Sequence, residues 1–305
     1  MTPARTAVLV VSYGSSEMVA DNLRRTALPE GTLVVVVDNY TTDEERAAAR
    51  ALADREGWEL VTPDRNLGFG AGMNAAARRA ADSDAAAYVL LNPDAYLEGD
   101  GVARLAETVI ADPDCVVAPL VVRPDGGHFS SEMELDLDSG SMRRIRDGRR
   151  YADSAMWLSG ACFAISRAMW ERLGGFDDDY FLYWEDVDLS VRAARAGAVL
   201  RVDDGVRAVH SAGGTQTDET RSAGKSPVYY FYNVRNRLVF AAQHLDARGQ
   251  RRWARRAVPA AWEILMRGGR RQLLHPARTI VPAVRGTMSG LAYLRGSRRA
   301  ARKRS

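Results

Sequence analysis

Four short apolar runs, separated from one another by helical patterns, constrain the fold of this chain more than any other feature. The run Leu33–Val37 is too short for a buried helix, so it predicts a central parallel strand. The second helical pattern begins at Thr41 or Thr42, with Glu44 and Glu45 in its first turn. The four runs are Ala7–Val11, Leu33–Val37, Trp58–Val61 and Ala87–Leu91. This βαβαβαβ order predicts an α/β fold with a doubly wound, mostly parallel sheet flanked by helices.

Polar residues follow each predicted strand at its carboxyl end. Ser12 and Tyr13 follow the first strand, Asp38 the second, the loop Asn66–Asn74 the third and Asp94 the fourth. Ligands of open α/β sheets bind beyond the carboxyl ends of the strands, so these residues predict a binding site at one edge of the sheet. Taken alone, Asp38 also fits a surface turn, and the turn that carries Asp94 fits an ordinary strand end.

The glycine-rich loop after the third strand distinguishes between kinds of cofactor. Gly68, Gly70 and Gly72 resemble a dinucleotide fingerprint, but that signature requires its loop directly after the first strand. Their position therefore excludes a nicotinamide or flavin cofactor. A glycine-rich entry to a helix still presents backbone N–H groups and the positive end of a helix dipole to phosphate.

Three carboxylates meet a run of aromatic residues in the segment Tyr183–Leu189. Glu185, Asp186 and Asp188 lie where an aromatic stretch gives way to a helical pattern. Carboxylates in the first turn of a helix favour the positive end of its dipole, so capping is one interpretation. A carboxylate beside an aromatic wall is also what a general base for a sugar hydroxyl requires. The residues alone leave both interpretations open.

Five motifs in order identify a family resemblance that covers residues 6 to about 245. They are Val10–Tyr13, Val37–Asn39, Asn66–Asn74, Leu91–Asp94 and Trp184–Leu189. Together they resemble glycosyltransferase family 2, in particular its rhamnosyltransferase-like branch. The resemblance implies a GT-A fold, inverting chemistry and a divalent cation, Mg²⁺ or Mn²⁺.

The resemblance also implies roles for individual residues. Asp186 matches the catalytic base, with Glu185 as its neighbour, and Asp94 with His210 matches the ligands of the cation. The positions that match the nucleotide-sugar site are Ser12, Tyr13, Asp38, Arg65, Asn66, Gly68, Asn74, Asn92 and Asp94. The positions where donor sugar and acceptor would meet are Trp157, Gly160, Ala161 and Trp184.

The metal motif departs from the family pattern at its first position. That position is commonly acidic, whereas this chain has Asn92, which leaves Asp94 as the only carboxylate of the motif. Cation binding would then be weaker or depend on His210. The alternative for His210 is a structural or solvent-facing histidine.

The resemblance implies transfer of a sugar from a dTDP-rhamnose-like donor, or a similar dTDP- or UDP-sugar, to an acceptor hydroxyl. The acceptor would be a glycan, a lipid-linked glycan or a small molecule. One alternative is a non-catalytic nucleotide-sugar-binding protein, because Asn92 replaces an acid. Another is a nucleotidyltransferase, but Ser12–Ser16 lacks the basic residue that such an enzyme needs after its first strand.

The second half of the chain is less informative. We expect a catalytic domain over residues 1–245, with a nucleotide-sugar half to about residue 120 and an acceptor half over 121–245. Residues 132–138 alternate polar and apolar, which indicates an edge strand or a mobile loop, and 139–150 is polar and basic. That second segment would either close over the donor or form a solvated insertion. Pro227–Leu245 predicts a helix that packs on the catalytic domain.

The basic C-terminal extension, residues 246–305, differs in charge from the rest of the chain. Residues 1–245 carry 26 Lys/Arg against 37 Asp/Glu, whereas 246–305 carries 16 against 2. The negative body argues against binding of nucleic acid. Trp253 and Trp262 alternate with arginines in a helical pattern, which is typical of a membrane-interface segment. A homodimer contact and a merely solvated helical pair are the alternatives.

Composition places the protein among globular enzymes of a reducing compartment. Hydrophobic residues make up 46% and charged residues 27% of the chain. Cys115 and Cys162 lie in apolar runs without metal-ligand spacing, which predicts buried thiols. No signal peptide pattern opens the chain and no apolar run reaches 18 residues. We therefore expect a cytoplasmic protein, peripheral at the inner face of the cell membrane if the extension binds lipid.

Overall fold

The predicted strand–helix alternation forms one half of a large central sheet. The computed structural model describes residues 5–145, 150–211 and 225–304. The first four strands pair in parallel in the order β3–β2–β1–β4. They are β1 (Arg5–Ser12), β2 (Leu33–Asp38), β3 (Glu59–Val61) and β4 (Ala85–Leu91). The predicted doubly wound sheet is therefore confirmed, with strand bounds that differ by at most a few residues.

The helices of this half connect successive strands. The second of them is capped by Thr42, whose side chain accepts a hydrogen bond from the Glu45 N–H, as its sequence predicted. The first, which the apolar pattern of Met18–Leu28 predicts, ends three residues earlier, at Arg25. The helices are α1 (Ser16–Arg25), α2 (Asp43–Glu56), α3 (Phe69–Ala80) and α4 (Gly101–Ala111).

The second half of the sheet is mixed. β11 (Cys162–Ser166) lies antiparallel between β4 and β6 (Cys115–Val122). β6 pairs in parallel with β12 (Val199–His210), so the strand order continues β4–β11–β6–β12–β5, and β7 pairs with β6 outside this order. Helices α5 (Arg167–Leu173) and α6 (Glu185–Arg195) belong to this half. Its strands are β5 (Ala95–Leu97), β6 (Cys115–Val122), β7 (His128–Ser130), β11 (Cys162–Ser166) and β12 (Val199–His210).

Apolar layers cover both faces of the central sheet. Alternate residues of β1 face opposite ways: Leu9 packs with Met73 and Phe163, whereas Val10 packs with Leu105 on the other side. The two expected thiols, in β6 and β11, are buried and free. Burial on both faces explains why these strands are almost entirely apolar.

A small antiparallel sheet occupies the region that the sequence left open. Its order is β10–β8–β9, formed by β8 (Met133–Asp136), β9 (Met142–Arg144) and β10 (Ser154–Trp157). Glu134 is fully buried and accepts hydrogen bonds from Arg143 at 2.6 Å and from the Tyr151 N–H. β8 is thus the central strand of this sheet, so the edge strand or mobile loop predicted over 132–138 is wrong. β9 pairs with it, and the Arg143 side chain of that ion pair is 42% exposed. Closure over a donor and a solvated insertion both remain predictions for 139–150, of which residues 146–149 lie outside the described part.

Four C-terminal helices pack against the small antiparallel sheet, against α6 and against one another. The helix predicted over Pro227–Leu245 is confirmed as α7 (Pro227–His244), and α10 (Ile280–Arg304) packs along it. Between them lie α8 (Ala247–Arg255) and α9 (Ala257–Met266), followed by a 3₁₀ turn, Arg270–Leu274. Within the described ranges, none of the helices has the length and apolarity to cross a bilayer.

The two tryptophans of the extension have different environments. Trp253 is completely buried against Phe240 and Trp184, and its indole N–H donates to the Leu137 carbonyl at 2.8 Å. It therefore belongs to the core and cannot contact a membrane surface. Trp262, one helix later, is 54% exposed.

Candidate active site

The carboxyl ends of β1 and β2 bring the first polar residues together. Ser12 is paired with Asp38 across the parallel ladder, and the Asn39 N–H donates to the Ser12 carbonyl at 2.8 Å. Asp38 is 1% exposed and forms a 2.8 Å ion pair with the Arg46 guanidinium of α2. Arg46 compensates the charge of Asp38 and fixes its side chain. Asp38 is therefore a buried hydrogen-bond acceptor at the carboxyl end of β2. Tyr13 follows with half of its side chain exposed.

Asn39 organises the loop that follows β3. Its side-chain oxygen accepts from the Leu67 N–H at 2.7 Å, and its amide nitrogen donates to the Gly68 carbonyl at 2.9 Å. No role for the Asn39 side chain was predicted from the sequence, although Asp38 was assigned one. The position of Asn39 directly after a buried strand could have indicated it, because a side chain there can form hydrogen bonds to a neighbouring loop.

The glycines of this loop allow close packing against the segment before α6. Gly68 has φ +84°, and a Cβ there would lie 2.1 Å from the Phe181 carbonyl oxygen. That carbonyl accepts from the Phe69 N–H at 2.9 Å, and Asn66 accepts from the Gly68 N–H at 2.8 Å. The Gly68 N–H and the first N–H of α3 are thus engaged by the protein itself, and the glycines let this loop pack closely against the segment before α6.

Two other donor-side positions differ in their surroundings. Asn74 pins the backbone of Phe176, accepting from its N–H at 2.9 Å and donating to its carbonyl at 2.8 Å. Its amide therefore holds the loop after α5 in place. Arg65 is exposed at the rim, where a guanidinium can reach a phosphate.

The end of β4 carries the candidate metal ligands. His210, the last residue of β12, lies 2.9 Å from the Asp94 carboxylate and 3.4 Å from the Asn92 amide nitrogen. Its ring packs edge-on against Phe129, and its Nδ1 is buried without a hydrogen-bond partner among the described residues. The structure thus brings His210 beside Asn92 and Asp94, two motif residues that lie more than a hundred positions earlier in the sequence. The Gly-Gly that follows His210 in sequence lies outside the described residues.

The oxygen and nitrogen donors at this point suit a divalent cation shared with a substrate. Mg²⁺ and Mn²⁺ are commonly held by one or two protein ligands together with substrate phosphates and water. Asp94 and His210 supply such a pair at contact distance. No group of three or more His, Cys, Asp or Glu side chains capable of holding a metal occurs in the described parts of the chain. A cation here would therefore need oxygen ligands from elsewhere, such as a diphosphate.

A strained turn presents the candidate base. Tyr183 and Trp184 have φ of 67° and 76°, and within the described residues they are the only non-glycine residues with positive φ. Asn236 of α7 donates to the Leu182 and Tyr183 carbonyls at 3.0 and 2.8 Å. Such backbone strain persists only where surrounding contacts hold it, and it concentrates at functional sites.

Asp186 lies in the first turn of α6, directly after this strained turn. One carboxylate oxygen accepts from the Gly160 N–H at 2.9 Å and the other from the Val187 N–H at 2.8 Å. The second bond satisfies one unpaired donor of the helix, so Asp186 does part of what the capping interpretation requires. The N-cap position itself is Trp184, which has no side-chain cap. Gly160 leaves little room for a side chain, since a Cβ would lie 3.3 Å from the Asp186 Cβ and would require Asp186 to shift by a few tenths of an ångström.

The two adjacent carboxyl groups differ in protonation. Burial raises the pKa of Asp186 to about 6, against the opposing effect of its backbone hydrogen bonds. Burial and the Asp186 charge hold the pKa of Glu185 well above its usual range, and one Glu185 oxygen is buried without a partner. At neutral pH Asp186 is therefore the ionised member of the pair and the one able to accept a proton.

The Gly160–Ala161 turn links Asp186, the candidate base, to the end of β4 that carries the candidate metal ligands. Gly160 donates to Asp186, and the Ala161 carbonyl accepts from the Asn92 N–H at 2.9 Å. Trp157, on β10 just before this turn, is half-buried and its indole N–H has no partner within the described residues.

Two residues of the segment after β11 face away from this centre. Trp184 is 6% exposed and packs against Phe240 and Trp253, so the structure does not bring its ring to the site as the sequence analysis expected. Asp188 is 1% exposed and engaged by Arg192 and His244, which makes it a structural anchor.

Comparisons with known proteins identify the family to which this chain belongs. A family model described as "Glycosyltransferase like family 2" matches residues 3–252. The N-acetylglucosaminyl-diphospho-decaprenol L-rhamnosyltransferase of Mycobacterium tuberculosis is 27% identical over 190 residues, which is 54% of this chain and 61% of that protein. The chain thus spans less than two thirds of this relative's length. The dTDP-rhamnosyl transferase RfbF of Shigella flexneri is 23% identical over 212 residues, 68% of this chain and 69% of RfbF.

Solved structures show the same fold at low sequence identity. The mannosyltransferase PcManGT from Pyrobaculum calidifontis, in complex with GDP-Man and Mn²⁺, has a TM-score of 0.56 and 20% identity, covering 96% of this chain and 85% of its own. GalNAc-T7 with UDP, GalNAc and Mn²⁺ also has a TM-score of 0.56, at 14% identity, covering 68% and 44%. Both are GT-A glycosyltransferases, which confirms the expected fold class. By the family model and its rhamnosyltransferase relatives, this chain belongs to glycosyltransferase family 2 and is rhamnosyltransferase-like.

Proposed function

We propose that this protein is an inverting glycosyltransferase that moves a sugar from a nucleoside diphosphate to an acceptor hydroxyl. The observation that carries the proposal is the link between Asp186 and the Asp94–His210 pair through the Gly160–Ala161 turn. This link supports the proposal that an ionised carboxylate lies close to the diphosphate of a bound donor. Asp186 would take the hydroxyl proton as the new bond forms, on the face opposite the leaving diphosphate. A single displacement without a second carboxylate nucleophile inverts the anomeric centre.

Asp94 and His210 would hold the Mg²⁺ or Mn²⁺ ion of this reaction. When bound, the cation would neutralise charge that develops on the leaving diphosphate. Ser12, Tyr13 and Asp38 would surround the nucleoside, and Arg65 would approach the diphosphate from the rim. The donor and acceptor sugars would meet beside Trp157, Gly160 and Ala161.

The names of the relatives guide the choice of substrates. Both are called rhamnosyltransferases, and one name specifies a dTDP-sugar. We therefore propose dTDP-rhamnose, or a similar dTDP- or UDP-sugar, as donor. The mycobacterial relative's name specifies a polyprenyl-linked acceptor, which favours a lipid-linked acceptor here, reached by a cytoplasmic protein at the inner face of the membrane. In this proposal residues 1–245 are the catalytic domain and residues 246–305 are an extension.

A panel of donors tests the proposal. Purified protein is incubated with dTDP-rhamnose, UDP-hexoses and GDP-hexoses, each with Mg²⁺, Mn²⁺ or a chelator, and release of free nucleoside diphosphate is measured. We expect turnover of a dTDP- or UDP-sugar that the chelator abolishes. Asp94→Ala should weaken metal-dependent donor binding in calorimetry, because it removes the only carboxylate of the metal motif. An Asp94→Ala protein with the full metal response would contradict the ligand assignment.

The alternative is a nucleotide-sugar-binding protein without activity, favoured only by Asn92 in place of an acid. It predicts donor binding without diphosphate release under every condition of the panel. The raised pKa and strained presentation of Asp186 support the enzyme, because a binding protein has no need of a base poised near neutral pH.

A further inference from the structure

The C-terminal helices expose an unusual concentration of apolar side chains. Ten large hydrophobic side chains are exposed in the described residues, and six of them fall between positions 258 and 288. Each of the six is 47–76% exposed. These six residues, here called the outer C-terminal face, are Val258, Trp262, Leu274, Val281, Val284 and Met288. Scattered exposed apolar residues are ordinary, whereas a concentrated set marks an interaction surface.

Helix geometry gives α9 and α10 an exposed apolar stripe each, with Leu274 in the 3₁₀ turn between them. Val281, Val284 and Met288 are spaced by three and four positions, so they form one stripe along α10. On the inner side, Ala283 packs with Ile264 of α9 in one cluster on α7. Since α9 and α10 share this support, their exposed stripes both point outward.

The same stretch is strongly basic. Residues 255–288 contain seven arginines, all exposed, and a single acid, Glu263. The seven are Arg255, Arg256, Arg267, Arg270, Arg271, Arg278 and Arg285. Apolar stripes interleaved with arginines are typical of helices that lie in the plane of a membrane interface.

We propose that the outer C-terminal face docks on the surface of an anionic lipid bilayer. The arginines would contact acidic headgroups while the apolar stripes enter the boundary with the acyl chains. A second copy of the chain is disfavoured as occupant, because a two-fold interface would bring seven arginines against seven arginines. Nucleic acid would pair with the arginines but leave the apolar residues in water.

Docking here would place the active site next to the membrane. The face is built on α7, the helix whose Asn236 holds the strained turn before Asp186. Gly286 of α10 lies against the Phe231 backbone of the same helix, since a Cβ there would be 2.3 Å from the Phe231 carbonyl oxygen. The purpose of docking, access to a lipid-linked acceptor, rests on the proposed function, but lipid binding is measured without any sugar.

Vesicle flotation of the full chain tests the proposal. The vesicles contain phosphatidylcholine alone or phosphatidylcholine with phosphatidylglycerol, at low and high salt. We expect binding to the anionic vesicles that salt weakens. Val284→Ser with Met288→Ser should lower partitioning at least ~10-fold, through lost apolar burial. Arg278→Ala with Arg285→Ala should lower it by roughly fivefold per arginine.

Matched controls come from exposed positions on β12. Val199→Ser and Arg201→Ala remove the same kinds of side chain from an exposed strand and should leave partitioning unchanged. Melting curves verify that all variants are folded, and Trp262→Ser offers an independent test on α9. Equal binding to neutral and anionic vesicles, or unchanged binding in every outer-face variant, would overturn the proposal. So would a doubled mass in light scattering that Val284→Ser with Met288→Ser abolishes, since the face would then hold a second copy.

Discussion

At the scale of single residues, the proposed mechanism depends on the unequal environments of Glu185 and Asp186. Asp186 has two backbone N–H donors on its carboxylate, whereas Glu185 has a buried oxygen without a partner. Donors stabilise a charge and burial without them does not, so the two groups separate in pKa. This separation favours the protonated form of Glu185 and supports the basic role proposed for Asp186.

Asp186→Asn removes the proton acceptor while keeping the size of the side chain and one of its two hydrogen bonds to backbone N–H groups. We expect transfer to acceptor to fall by at least ~10²-fold, with donor affinity within a few-fold of the wild type. The melting temperature at neutral pH should change little, because removal of a buried charge offsets the lost hydrogen bond. Steady-state kinetics and a melting curve measure the two effects. Transfer at the wild-type rate would place the base elsewhere.

The raised pKa of Asp186 gives the activity a pH dependence of defined sign. Below about pH 6 the carboxylate is protonated and cannot accept the hydroxyl proton. We expect kcat/KM to fall by about tenfold per pH unit on the acid side of that value and to level off above it. The stability effect has the opposite sign: the raised pKa favours the folded state at acid pH, and that contribution is lost as pH rises through about 6. A pH–rate profile without an acid limb near 6 would contradict the assignment.

At the scale of elements, helix α7 holds the strained turn Tyr183–Trp184, which precedes Asp186, the proposed base. Asn236 is completely buried and donates to the carbonyls of Leu182 and Tyr183. Asn233, one turn earlier on the same helix, is also buried, but its amide donates to the Tyr229 carbonyl within the helix. The two asparagines therefore make a matched pair that separates positioning of the turn from general stability of α7.

Asn236→Ala should lower kcat by about 10²-fold, because a shift of roughly 1 Å in a reacting group has that consequence. Donor binding, measured by calorimetry, should change little, since the residues proposed to bind the nucleotide-sugar lie at the ends of β1, β2 and β4 and around the start of α3. Asn233→Ala should leave kcat within a few-fold of the wild type. A similar loss in both variants would mean that Asn236 acts only through the stability of the helix.

At the scale of the whole molecule, the extension is built into the hydrophobic core. Trp253 stacks on Phe240 and packs beside Trp184, and the Arg237 guanidinium forms a cation–π contact with its ring. Ending the chain after residue 245 would leave Phe240 and Trp184 without this cover. Point substitutions therefore test the role of the extension better than a truncation does.

Trp253→Ala should lower the free energy of unfolding by about 3–5 kcal/mol, the usual result of removing a large buried aromatic side chain. Trp262→Ala is the control, because its side chain is half exposed, and we expect a change within roughly 0.5 kcal/mol. Chemical denaturation monitored by circular dichroism measures both. Equal stability of the two variants would contradict the burial of Trp253.

The sequence alone determined the parallel half of the sheet and the order of the motifs. Runs such as Leu33–Val37 are short, apolar and bounded by polar residues, and that local pattern is sufficient to identify a buried strand. Asp94 and Asp186 were readable as candidate site residues from the order of the motifs, because each carboxylate taken alone also fitted a strand-ending turn or a helix cap. These features depend on neighbours in the chain, which a linear sequence displays.

Tertiary structure alone decided which distant residues meet. His210 reaches Asp94 because β12 pairs antiparallel with β5 at the far side of the sheet, and no local pattern reports that register. The burial of Trp253 and exposure of Trp262 were likewise unreadable, since both lie in similar arginine-rich surroundings in the sequence. Side-chain burial is set by the surface of α7 on which each helix packs, and that surface exists only once the chain has folded.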